Sequence, residues 1–108
     1  MADEDTKRAA FGALVEGVLA HEGRATAEQR ARAYRNSDVP SPLGTLIGKV
    51  ATRPPQVTLG DFDAAKAAGF SEDQLFELVI AAAVGQSARQ YEAALAALAE
   101  ATANGEAG

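Results

Sequence analysis

The side chains best placed for acid–base work are Glu77, Asp61 and Arg89. Glu77 stands inside the apolar run Leu75–Gly85, where desolvation would suit a carboxylate to carry a proton. The same position also suits a glutamate that emerges at the surface or pairs with an arginine. An enzyme built on these groups would act without a cofactor, as a lyase, isomerase or decarboxylase on a small organic acid. Glu77 or Asp61 would be the base and Arg89 the carboxylate clamp, with Gln86 and Tyr91 orienting the substrate. On one helix Glu77 and Arg89 stand about 18 Å apart at 1.5 Å per residue, so only a site shared between subunits unites them. Gln86-Ser87, with Arg89 and Gln90, interrupts the apolar run midway. Buried, these groups need another helix, an identical subunit or a ligand as partner. Gln86, Arg89 and Tyr91 thus mark a polar pocket or subunit contact, or else a polar face emerging as the core ends.

Other chemistries fail on residue type. There is no cysteine, so disulfides, thiolate metal sites and thiol nucleophiles are excluded. His21 is the single histidine. His21-Glu22 opens like a zinc-protease helix, but no second histidine follows four residues on, and a cation in the last turn of a helix suits its dipole. No metal or cofactor is expected. Gly44-Thr45-Leu46-Ile47-Gly48-Lys49-Val50 is one residue short of a phosphate loop, lacks the hydroxyl after lysine and follows no strand. Its glycines read as small residues that allow close helix approach. A net charge of −5 with both signs scattered argues against nucleic acid, which needs a basic face, and against an anionic membrane surface. No stretch approaches the roughly 18 apolar residues that span a bilayer. The acidic start Met1-Ala2-Asp3-Glu4-Asp5 is not a signal peptide, so a cytoplasmic location is expected.

The elements that must position these groups are all helical. Length predicts one domain over residues 1–108, with 1–5 and 103–108 as loose ends. The first helix spans about Thr6 to Glu22, with Phe11, Leu14, Val15, Val18 and Leu19 on one face. Thr26-Ala27-Glu28-Gln29 is a capping box for a second helix that fades near Asn36. Ser41-Pro42 opens a third, presenting Leu43, Leu46, Ile47 and Val50, which stops before Pro54-Pro55. Thr58 and Asp61 cap a fourth that closes at Gly69. Ser71-Glu72-Asp73-Gln74 caps a fifth, with Glu72 and Asp73 set by capping and dipole. That helix is apolar nearly all round to Gly85, then narrows to Ala88, Tyr91, Leu95 and Leu98, and fades near Ala101. No segment alternates with period two. The chain is 47% hydrophobic yet has no tryptophan, and much of that share is alanine. Such a core buries little area per residue, so association would help.

From Thr26 to Leu98 the chain resembles the carboxymuconolactone decarboxylase / alkylhydroperoxidase D-like (AhpD-like) superfamily. The resemblance is carried by Phe62 to Leu95, an alanine-rich helix, Gly69-Phe70, the Ser71 cap with its two acidic residues, and a long apolar helix. Asp38-Val39-Pro40-Ser41-Pro42-Leu43 and Gly48-Lys49-Val50 are similar to a small cysteine-free branch. The resemblance implies an all-α AhpD-like domain with a long, largely buried C-terminal helix, assembled into trimers or hexamers. It places the peroxidase members' Cys, Cys and His at Pro54, Val57 and Asp61, and their upstream glutamate near Pro42. All four are replaced, and no decarboxylase histidine is matched. Gln86 corresponds to the family's polar residue in the long helix. The resemblance thus implies a non-catalytic homo-oligomeric scaffold, ligand-binding protein or accessory subunit, meeting a protein partner or a small organic ligand.

Overall fold

The computed structural model describes the backbone of residues 2–20 and 23–107, and the side chains of 5–17 and 23–105. His21 and Glu22 lie outside the described residues. Five helices and one 3-10 turn follow one another: α1 (Ala2–Ala20), α2 (Ala27–Arg35), α3 (Leu43–Thr52), the turn Pro54–Gln56, α4 (Leu59–Ala67) and α5 (Glu72–Ala107). No strand occurs among the described residues, so the fold is all-α, as the helical periodicity predicts.

Local chemistry sets most boundaries. Thr26 Oγ1 accepts the Gln29 N–H at 3.0 Å while Gln29 Oε1 accepts the Thr26 N–H at 2.9 Å. Thr58 and Asp61 do the same for α4. Ser71 and Gln74 do it for α5. Each box satisfies two helix-end donors at once. Asn36 ends α2 in the left-handed region at φ 51°. Gly69, at φ +109°, lets the Phe70 N–H reach back to the Ala65 carbonyl at 3.3 Å, a conformation that glycine adopts without Cβ strain.

Three boundaries differ from expectation. α1 begins at Ala2 rather than Thr6, because acidic residues in a first turn favour the helix dipole. α5 continues to Ala107 instead of fading near Ala101, since alanine sustains a helix and one glycine does not break it. Ser41 does not cap α3: its hydroxyl meets Thr45 Oγ1 at 3.1 Å, and the helix starts at Leu43 with no side-chain cap. The Ser41–Pro42 peptide is cis.

The core gathers Leu43, Leu46 and Ile47 of α3, Ala65 of α4, Ala33 of α2, and Leu75, Leu78, Ala81 and Ala82 of α5. α5 is its spine, but burial covers only one side of its first half. Phe76 is 68% exposed and Ile80 38%, although the run around them is apolar on every side. Beyond Gly85, among the described residues, only the stripe Ala88, Tyr91 and Leu95 that continues from Val84, and Gln86 on another side, stay half-buried. The long helix is therefore partly rather than largely buried. α2, α3 and α4 have only 9, 10 and 9 residues, too few to surround a rod of about 54 Å.

α1 lies antiparallel along the spine, with Phe11 against Tyr91 (ring centroids 5.3 Å apart) and Arg8 beside Glu92 at 3.6 Å. The molecule measures 57 × 28 × 20 Å, and its thinnest dimension is about two helix diameters.

Candidate functional site

Among the described residues, three polar clusters and two apolar grooves are places where function could sit. The first cluster is built on Glu77. The Arg24 N–H donates to its Oε1 at 2.8 Å and the Ala25 N–H to its Oε2 at 2.6 Å. Gln74 Nε2 donates to the Arg24 carbonyl at 3.3 Å. From the other side Arg30 Nη1 donates to the Ala25 carbonyl at 2.6 Å, and Arg30 is buried, with 5% exposed. The turn ahead of α2 is thus bolted to α5 through its backbone. Gly23 completes the fit, because a Cβ there would run into the Glu77 carboxylate.

The second cluster fixes the far end of α2. Arg89 Nη1 donates to the Tyr34 carbonyl at 2.7 Å, one of the acceptors that a helix C-terminus leaves unpaired. Gln86 Oε1 accepts from Arg89 Nη2 at 3.0 Å and from Nε at 3.3 Å, holding the guanidinium in place. Directly beside it, Gly85 is buried against the Tyr34 backbone so closely that no Cβ would fit. Tyr91 stacks on Phe11 rather than joining this cluster.

The third cluster joins α3 to α4. Lys49 Nζ lies 3.0 Å from both Asp61 oxygens, in an ion pair whose side chains are 21% and 12% exposed. Asp61 also accepts the Thr58 N–H at 2.8 Å. That backbone bond, followed by the bond from Lys49, holds the carboxyl below the usual carboxylate range. Pro54 opens the 3-10 turn, and Val57 packs against the core. The positions the resemblance assigned to Cys, Cys and His therefore form a turn, a core contact and a helix cap.

Glu77, Asp61 and Arg89 accordingly serve three different joints: the turn before α2, the α3–α4 pair, and the end of α2. Among the described residues every buried side-chain nitrogen or oxygen has a partner, and no group of three His, Cys, Asp or Glu is placed to hold a metal ion. No helix there is long and apolar enough to cross a membrane. Sequence reasoning missed the buried Arg30 and the Lys49–Asp61 pair. Lys49 had been read only within its glycine-flanked stretch. There Gly44 packs against the Val39 carbonyl of its own approach loop, so it serves the turn into α3 rather than a helix crossing.

The cleft lies between α1 and α5. Ala13, Leu14 and Gly17 form one wall, Phe76 and Ile80 the other, and Arg30 and Glu77 stand at one end. Its volume is about 660 Å³, and Leu14 at its mouth is 56% exposed. A second groove of about 310 Å³, between α4 and α5, is lined by Leu59, Phe62, Leu75, Phe76 and Val79. Lys66 and Glu72 rim it as an ion pair at 2.6 Å. Each lifts or lowers the other in the expected sense: Glu72 raises the Lys66 ammonium and Lys66 depresses the Glu72 carboxyl. Phe76 belongs to both grooves, so they form one apolar face. No family model, no curated protein and no solved structure matches this chain.

Proposed function

We propose that the chain is a non-catalytic, homo-oligomeric helical module, a scaffold or accessory subunit, whose working surface is the apolar face running from Leu14 through Phe76 to Leu59. One observation carries this reading. The polar groups best suited to chemistry each hold backbone or a cap, while the open concave surface is apolar and centred on an aromatic residue two-thirds exposed. Large exposed apolar residues grouped on one concave surface mark a place where another chain or an apolar ligand is met. Kinship with the AhpD-like superfamily, as a branch without its thiols, rests on the sequence resemblance of Phe62–Leu95 alone.

Light scattering on the purified chain at tens of micromolar tests the reading. A native mass above the 11.1 kDa of one chain is expected, and a clean monomer would sink it.

A further inference from the structure

We infer that this face is covered by a second copy of the chain, whose α5 lies antiparallel in the cleft about a two-fold axis at Ser87. The inference rests on the proposed oligomeric role and specifies its geometry.

Phe76, Ile80, Ala83, Ser87, Ala94 and Leu98 are all exposed, with Leu98 at 55%. At about 100° per residue they fall within an arc of roughly 60° on one face of α5. Their intervals are four, three, four, seven and four residues, close to a helix-seam repeat except between Ser87 and Ala94, where the exposed Gln90 fills the row. The large residues sit at its two ends and the small ones between. Phe76 and Leu98 are equally far from Ser87 in sequence. An antiparallel pair centred there sets Phe76 opposite the partner's Leu98 and Ile80 opposite the partner's Ala94, with Ser87 meeting its own copy. The seam is about 33 Å long, and the entering helix also meets Leu14 on the other wall of the cleft.

Charge disfavours a parallel pair. Residues 92–105 carry Glu92 and Glu100 and no basic side chain. The cleft's inner end is lined by Arg30 together with the Glu77 carboxylate. A parallel pair would instead set the acidic far halves side by side, and Glu72 and Asp73 against their own copies. The two-fold closes the assembly, since both copies use the same patch.

The test combines mass and distance on the full chain, whose lack of cysteine makes single labels clean. The wild type is expected at twice 11.1 kDa, and Leu98→Glu or Phe76→Glu, both at exposed positions, at the monomer mass with helical circular dichroism retained. Spin labels on Ser87→Cys are expected within about 20 Å of each other across the dimer, and those on Thr102→Cys about 45 Å apart, from 1.5 Å per residue on each side of the axis. A monomeric wild type overturns both this inference and the proposed function. A larger assembly that ignores both substitutions, or in which the Thr102 labels are the closer pair, overturns the inference alone.

Discussion

Glu77 accepts two backbone N–H groups that no helix satisfies, because Arg24 and Ala25 precede the first turn of α2. Charge-assisted bonds to backbone are the stronger kind. Replacing Glu77 with alanine is expected to cost about 2–4 kcal/mol, read as a fall in the urea midpoint, and glutamine, which keeps one acceptor, roughly half that. Asp61 makes a pH prediction. Its carboxyl is held below the usual range by the Thr58 N–H and then Lys49, so the folded state binds its proton less readily than the unfolded one. The resulting stability is present above the unfolded value, about pH 4, and is lost as the pH falls through the lower folded value. Urea midpoints should therefore drop below about pH 4 in the wild type and more shallowly in Asp61→Asn. Sequence alone placed Glu77 in an apolar run but could not choose its role, since its donors come from a turn more than fifty residues earlier. The Tyr34 carbonyl that takes up Arg89 is as remote.

At the scale of elements the capping boxes carried through, whereas the expected Ser41 cap did not. Thr26, Thr58 and Ser71 each start a helix by a bond to the residue three places on, and such short-range chemistry is written into adjacent letters. Helix crossings are not. Gly85 looked like one more small residue in an apolar run, yet it is where α2 meets α5 closely enough to exclude a Cβ. Gly85→Ala should push the two helices apart and cost about 1–3 kcal/mol. Gly12→Ala, with nothing within 4 Å of the added Cβ, should instead gain about 0.5–1 kcal/mol of helix propensity. Thermal melts of the two variants should shift in opposite directions. The apolar run also misled on burial, because periodicity shows how much of a helix could be covered, not how much neighbouring helix exists to cover it. Phe76 and Ile80 face outward for that reason.

As a whole the molecule is long for its size. Its radius of gyration of 16.7 Å exceeds the roughly 13 Å of a compact chain this long, and the excess comes from the outer half of α5, where residues 96–105 are exposed. An uncovered helix opens locally at little cost. Backbone amides of 93–105 are thus expected to exchange rapidly in dilute protein and to gain protection as concentration rises, by mass spectrometry of deuterium uptake. Equal exchange at every concentration would mean the far half meets no second copy.

The Phe11–Tyr91 ring pair has an optical consequence. With no tryptophan and only two tyrosines beside four phenylalanines in the chain, emission excited where only tyrosine absorbs arises from Tyr34 and Tyr91. Tyr34 lies in the last turn of α2, where its carbonyl is held by Arg89, and Tyr91 marks where α1 rests on the spine. Each fluorophore therefore watches one joint. In a Tyr34→Phe chain the remaining signal comes from Tyr91 and so follows the contact between α1 and α5.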